Sequence, residues 1–84
     1  MPMAYFVYIL WSEKDAKYYI GSTQDVKKRL AFHNAGLQRS TKSRIPFILI
    51  YAEECPDKHA ALIREKQIKS YKGGQAFKSL ISGV

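Results

Sequence analysis

Two strand-like runs separated by only a short polar segment constrain the fold of this chain more than any other feature. Residues 4–11 are rich in aromatic and β-branched side chains, and residues 17–21 repeat that character. The polar residues 12–16 between them are too few for the crossover that joins parallel strands. We therefore predict an antiparallel hairpin with Tyr8 and Tyr19 on paired strands, whose register the sequence does not fix.

The first of these runs has two apolar faces. Side-chain alternation puts Tyr8 on one face with Phe6 and Leu10, while Val7 and Ile9 lie on the other. This pattern is typical of a central strand that is covered on both sides.

A further strand is predicted at residues 47–51, a continuously apolar run that begins directly after Pro46. Residues 37–44, which precede it, are polar and basic. We expect those residues to form an exposed loop.

Two helices are predicted from capping residues and apolar spacing. The first covers about residues 25–35 and has Ser22 or Thr23 as its N-cap. Arg29 and His33 share the apolar face of this helix, because they recur at a spacing of four. Both side chains should therefore lie at the edge of the core.

The second helix covers about residues 59–71 behind Asp57 as its N-cap, and residues 75–81 form a short terminal helix. Glu65 falls within the apolar stripe of the second helix. Carboxylates are rarely buried without a partner, so Glu65 should meet a cation, a metal or an arginine.

The order of elements is strand, strand, helix, strand, helix and a short terminal helix. This order predicts an α+β fold in which helices pack on a three-stranded sheet. A chain of 84 residues is short enough to form one domain, residues 1–84.

Charge and cysteine content narrow the function classes. The net charge is +7, and residues 26–52 contain six basic side chains and no acidic one. A basic domain of this kind favours a polyanionic partner, most often nucleic acid, although a merely solvated basic surface is the alternative.

The single cysteine, Cys55, excludes an intrachain disulfide and a cysteine-rich metal site. No apolar run approaches the roughly 20 residues of a membrane span, so we expect no membrane partner and a cytoplasmic location.

Five side chains carry chemistry that the predicted elements do not explain. Two phenols, a guanidinium, an imidazole and a carboxylate are the groups that phosphodiester cleavage uses. The alternative is a tyrosine-rich core in which the carboxylate is simply paired with the guanidinium. The five residues are Tyr8, Tyr19, Arg29, His33 and Glu65.

In order and spacing, these residues resemble the GIY-YIG nuclease superfamily, in particular its small stand-alone bacterial members. The first half-motif is Phe6-Val7-Tyr8 and the second is Tyr19-Ile20-Gly21. The arginine and glutamate of the family match Arg29 and Glu65, and His33 occupies a position where other members have tyrosine. The resemblance covers about residues 4–72.

The resemblance implies a three-stranded antiparallel sheet flanked by helices and a nuclease that cuts one DNA strand per site with one divalent ion. Glu65 would hold Mg²⁺ or Mn²⁺, and Arg29 would contact the scissile phosphate. Tyr8, Tyr19 or His33 would help to deprotonate the attacking water.

Three further positions bear on this resemblance. Gly21 would keep the wall of the site thin. Phe6 replaces the glycine of the first half-motif. The asparagine that many family nucleases carry beyond the glutamate is absent, and Gln75 lies in that region. This last departure concerns the efficiency of catalysis rather than the fold or binding.

The sequence therefore predicts a divalent-metal-dependent endonuclease that acts on DNA, with weak sequence specificity, in DNA repair or recombination. The alternatives are a catalytically weak or inactive nucleic-acid-binding module and a protein-interaction domain of a repair complex. The residues do not distinguish DNA from RNA, and a homodimer or a partner protein is compatible with a single-site nickase. Phosphate contacts are expected from a set of basic side chains, which comprises Lys27, Lys28, Arg39, Lys42, Arg44, Lys66, Lys69 and Lys72.

Overall fold

The computed structural model describes residues 4–82. Three strands and three helices follow one another in the predicted order, with one 3-10 turn before the last strand. The predicted α+β class is confirmed. The elements are β1 (Tyr5–Ser12), β2 (Lys17–Thr23), α1 (Val26–Asn34), the 3-10 turn (Lys42–Arg44), β3 (Phe47–Cys55), α2 (Lys58–Ser70) and α3 (Gln75–Ile81).

The sheet is antiparallel throughout, and β1 is its central strand in the order β2-β1-β3. In the β1–β2 register, Tyr8 lies opposite Gly21 and Leu10 lies opposite Tyr19. Directly opposed residues point to the same face of a sheet, so both tyrosines lie on one face.

The two faces of β1 are covered by different helices. Val7 and Ile9 pack with Ala61 and Ile68 of α2 and with Phe77 of α3. Tyr8 and Leu10 pack on the opposite face, together with Leu30 of α1 and Phe47 of β3. The chemistry-bearing tyrosines therefore lie between the sheet and α1.

Strand β3 is longer than the sequence predicts, and much of it is exposed. It runs on to Cys55, and a register shift opposite Ile9 and Leu10 leaves Ile50 as an extra residue, a β-bulge. Ile48, Leu49 and Ile50 are at least 36% exposed because β3 is an edge strand.

Both long helices begin at an aspartate. The carboxylate of Asp57 accepts a hydrogen bond from the Ala60 N–H, as predicted for α2. The predicted N-cap of α1 is wrong, because Asp25 accepts from the Lys28 N–H at 3.0 Å. Thr23 instead accepts from the Asp25 N–H, one step before the helix.

The segment between α1 and β3 is mostly exposed, as its polarity predicts, but contacts at a few positions tie it to the rest of the domain. Thr41 is only 1% exposed, and Arg44 pairs with Asp15 in the β1–β2 turn at 2.6 Å. Asn34 donates to the Phe47 carbonyl and accepts from the Phe47 N–H, at 3.0 and 2.7 Å. These contacts hold the segment against the edge of the sheet, beside α1.

Within residues 4–82 there is no helix of the length and apolarity that a membrane span requires.

Candidate active site

Tyr8 occupies space that only a glycine opposite it can provide. Its side chain is 2% exposed and crosses over Gly21 on β2. A Cβ atom at position 21 would lie 2.6 Å from the Tyr8 hydroxyl oxygen and 3.2 Å from Tyr19. The family resemblance implies a thin wall at Gly21, and the side chain that uses this space is Tyr8.

A buried chain of hydrogen bonds leads away from the Tyr8 hydroxyl. It joins Tyr8 Oη to His33 Nε2 at 3.1 Å, and His33 Nδ1 to Thr41 Oγ1 at 2.9 Å. Thr41 Oγ1 donates to the Gln38 carbonyl at 3.4 Å, so it accepts from His33 Nδ1–H. We therefore assign the Nδ1–H tautomer to His33, which leaves Nε2 to accept the proton of Tyr8.

Tyr8, Arg29 and His33 form a cluster whose electrostatic environment favours the neutral form of His33 at neutral pH. Burial lowers the pKa of His33, and the nearby Arg29 charge lowers it further. Burial also raises the pKa of Tyr8, and the Arg29 guanidinium partly offsets that rise. The resting site thus contains a neutral phenol beside a neutral imidazole.

The Arg29 side chain is held in place beside Tyr8 by Gln38. Its Nη2 donates to Gln38 Oε1 at 2.7 Å, and its guanidinium carbon lies 4.8 Å from the centre of the Phe32 ring. Gln38 Nε2 donates in turn to Tyr19 Oη at 3.1 Å. Arg29 Nε is buried and has no hydrogen-bond partner among residues 4–82.

Glu65 lies on α2, whose Ala61 and Ile68 pack on the face of β1 opposite Tyr8, and it has a different partner from the one considered in the sequence. Its carboxylate pairs with Lys69 at 2.7 Å, one helical turn further on, rather than with Arg29. The Glu65 side chain is 17% exposed. Its charge makes a small upward contribution to the pKa of Tyr8, after burial and the other neighbours. Among the described residues there is no cluster of three or more His, Cys, Asp or Glu side chains that could hold a metal.

Two of the candidate phosphate-binding residues are already paired with a carboxylate of this chain. Arg44 and Lys69 are engaged with the carboxylates of Asp15 and Glu65. Lys28 lines an open groove of about 470 Å³ together with Arg29. Lys69 is exposed although it is paired. The exposed residues of the predicted set that make no ion pair within residues 4–82 are Lys27, Lys28, Arg39, Lys42, Lys66 and Lys72.

Two site residues, Gln38 and Thr41, have no part in the sequence interpretation. Both lie in an irregular segment, where no periodic pattern marks a side chain as inward-facing. The available signal is indirect. A buried histidine needs a partner for each ring nitrogen, and a nearby loop hydroxyl is one candidate.

In this small α+β domain, an antiparallel sheet carries two tyrosines beside an arginine and a histidine from the following helix. Residues 4–76 match the family model of the GIY-YIG catalytic domain, and the chain therefore belongs to the GIY-YIG family.

Small proteins of the UPF0213 group are similar to this chain along most of its length. The UPF0213 protein SH2523 of Staphylococcus haemolyticus is 39% identical over 77 residues, which cover 90% of this chain and 93% of that protein. A UPF0213 protein of Streptococcus pneumoniae is also 39% identical, covering 83% of this chain and 71% of that protein. The solution NMR structure of the UPF0213 protein BH0048 from Bacillus halodurans superposes with a TM-score of 0.58 at 33% identity. That match covers 95% of this chain and 84% of the other.

Proposed function

We propose that this protein is a divalent-metal-dependent endonuclease that hydrolyses phosphodiester bonds in DNA. The observation that carries the proposal is the hydrogen bond of 3.1 Å between the Tyr8 phenol and the neutral, buried His33, with Arg29 beside them. A phenol with a proton acceptor behind it can take a proton from water without a phenolate forming first.

Tyr8 and His33 act as one proton-accepting unit in this mechanism. As Tyr8 Oη takes a proton from the attacking water, its own proton passes to His33 Nε2. The imidazolium that forms keeps its Nδ1–H hydrogen bond to Thr41. Among the three candidate bases, we therefore propose Tyr8 as the group that faces the water and His33 as the group that receives the proton.

Arg29 stabilises negative charge on the phosphoryl group. Gln38 holds one terminal nitrogen of the guanidinium, and the Phe32 ring supports its plane. A pre-positioned guanidinium stabilises the transition state without reorganising during the reaction. Tyr19, whose oxygen accepts from Gln38, keeps its own proton available for a phosphate oxygen.

Glu65 fits one hydrated Mg²⁺ or Mn²⁺ as a single protein ligand. Mg²⁺ commonly takes one or two carboxylates and completes its shell with water and substrate phosphate. One partly buried carboxylate matches that donor set, provided that Lys69 releases it. Such an ion supplies Lewis-acid stabilisation of charge on the phosphate oxygens.

Substrate contacts outside this cluster are directed at the phosphate backbone. The exposed lysines and Arg39 provide charge without the base-edge contacts that read sequence. We propose weak, salt-sensitive and structure-directed DNA binding, in repair or recombination in the cytoplasm.

A nucleic-acid-binding module without useful turnover is the second candidate. Gln75, in the region where many family nucleases have asparagine, is exposed and its amide lies 3.5 Å from Ser79 in its own helix. The Glu65–Lys69 ion pair also favours a binding module, because Lys69 occupies the carboxylate that is proposed as the metal ligand.

The deciding experiment is incubation with supercoiled plasmid and with branched DNA, in Mn²⁺ or in EDTA. Glu65→Gln removes the charge at nearly constant volume, and Glu54→Gln, at an exposed position on β3, is the matched control. We expect nicking that needs metal, survives in Glu54→Gln and is lost in Glu65→Gln. Metal-independent nicking, or binding without any nicking, would contradict the proposed function.

A further inference from the structure

We infer that residues 38–41 form a positioning loop, in which Gln38 orients Arg29 and Tyr19 while Thr41 fixes the tautomer of His33. The inference rests on the proposed function and adds two residues that act through others, without contact to the reacting atoms.

Gln38 uses both ends of its amide to join α1 to β2. Its Oε1 accepts from Arg29 Nη2 at 2.7 Å, and its Nε2 donates to Tyr19 Oη at 3.1 Å. The amide orientation is determined, because a guanidinium only donates and must meet the carbonyl oxygen. The same Nε2 lies 3.1 Å from Ser40 Oγ, which holds the amide from within the loop.

A glutamate at position 38 would change both the charge and the hydrogen bonds of this site. Its carboxylate would neutralise Arg29 and accept the Tyr19 proton that the amide leaves free. A neutral amide therefore orients the guanidinium while preserving its positive charge for the substrate.

Thr41 acts on the opposite side of the cluster. Its hydroxyl is buried and accepts from His33 Nδ1–H at 2.9 Å. The hydroxyl proton is directed to the Gln38 carbonyl, which also accepts from the Thr41 N–H at 3.1 Å. Thr41 therefore stabilises the tautomer in which Nε2 faces Tyr8, as second partners of functional histidines commonly do.

The chain that follows the positioning loop is anchored at Arg44 by contacts that do not involve Tyr8, Arg29 or His33. Arg44 pairs with Asp15 at 2.6 Å, and its carbonyl accepts from Ser12 Oγ at 2.5 Å. Ser12 is completely buried in β1. The loop therefore has a fixed end from which Gln38 and Thr41 can position side chains on other elements.

The test compares Thr41→Val, which removes the hydroxyl at nearly constant shape, with Ser43→Ala as a matched control at an exposed position. Nitrogen-15 NMR of the histidine ring reports the tautomer of His33 without any requirement for activity. We expect Nδ1–H in the wild type and in Ser43→Ala, and a shift towards Nε2–H in Thr41→Val. The nicking rate of Thr41→Val should fall roughly tenfold with a changed pH profile, while DNA affinity stays within about twofold.

Gln38 is tested by Gln38→Leu and Gln38→Glu in the same nicking assay. Both should nick more slowly, and Gln38→Glu should also bind DNA more weakly because its carboxylate neutralises Arg29. DNA affinity that falls equally in both variants would overturn the role of the amide.

The outcomes for the positioning loop and for the proposed function are separable. An unchanged His33 tautomer in Thr41→Val, or a changed tautomer with an unchanged nicking rate, overturns the positioning loop in a protein that does nick. If the wild type does not nick, the proposed function fails and the loop has no catalytic role. The tautomer measurement then decides whether Thr41 still positions His33.

Discussion

Tyr8 and Gly21 face each other across β1 and β2, and a Cβ atom at position 21 would lie 2.6 Å from the Tyr8 hydroxyl oxygen. This pair links the fold to the site, because the missing side chain at one position determines where the phenol at the other can lie. The buried Tyr8 ring cannot move aside without disturbing its hydrogen bond to His33.

Gly21→Ala should therefore destabilise the protein by about 1–3 kcal/mol, the usual range for overpacking, and should slow nicking. Urea unfolding measures the free energy, and a Tyr8→Leu background is the control, since it removes the clashing atoms. The cost of Gly21→Ala should be smaller in that background. Equal costs in both backgrounds would show that the Tyr8 clash is not the cause.

His33 should make stability depend on pH in a defined window. Burial and Arg29 lower the pKa of His33 in the folded protein, below the ordinary value of 6.5 that the unfolded chain has. Below about pH 6.5 the unfolded state therefore binds more protons, and the free energy of unfolding falls as pH falls towards the folded pKa. Urea unfolding between about pH 5 and 7.5 should show this slope, and His33→Phe should flatten it. The same slope in His33→Phe would refute the assignment to His33.

Asn34→Ala should cost about 1–3 kcal/mol of unfolding free energy, because Phe47 loses partners for both of its backbone groups. Asn34→Asp keeps the acceptor for the Phe47 N–H and loses the donor to its carbonyl. Its cost should be intermediate when both variants are compared by urea unfolding. A full loss in Asn34→Asp would mean that the donor alone matters.

Lys69→Gln should lower the Mn²⁺ concentration for half-maximal nicking by about twofold, since an exposed i,i+4 ion pair is worth about 0.3–0.5 kcal/mol. The pair it removes is Lys69–Glu65 at 2.7 Å. Lys66→Gln is the matched control, because it removes the same charge from the same helix at an exposed position. An identical change in both variants would point to overall charge and not to release of Glu65.

Lys28→Gln should reduce the salt dependence of DNA binding. Lys28 lines the groove beside Arg29, and loss of one phosphate contact should lower the slope of log K against log salt by about 0.9. Fluorescence anisotropy at several salt concentrations measures the slope. Lys14→Gln, in the exposed β1–β2 turn, should leave it unchanged, and an equal effect there would indicate nonspecific charge.

Much of the fold can be predicted from the sequence because its signals are local. Aromatic and β-branched runs mark the strands, and the spacing of Arg29 and His33 places both on one face of α1. The Asp57 cap is equally local. The N-cap of α1 cannot be predicted as firmly, because Thr23 and Asp25 are both good capping residues and only the geometry distinguishes them.

The contacts that complete the site cannot be predicted in this way. The Tyr8–Gly21 register depends on the hairpin turn, and Arg44 meets Asp15 only because the loop after α1 folds back. Gln38 and Thr41, in an irregular segment, join residues from two elements, α1 and β2. Such hydrogen bonds follow from tertiary packing, which leaves no period in the sequence.

Asn34 has a second consequence, for self-association. Since its amide satisfies the Phe47 N–H and carbonyl, these groups are not available to a strand from another molecule. The Ile50 bulge interrupts the regular ladder a few residues further along the same edge. An edge strand that exposes Ile48, Leu49 and Ile50 is otherwise a template for aggregation. One helix-terminal amide and one extra residue thus protect the least covered strand of the domain from forming intermolecular sheets.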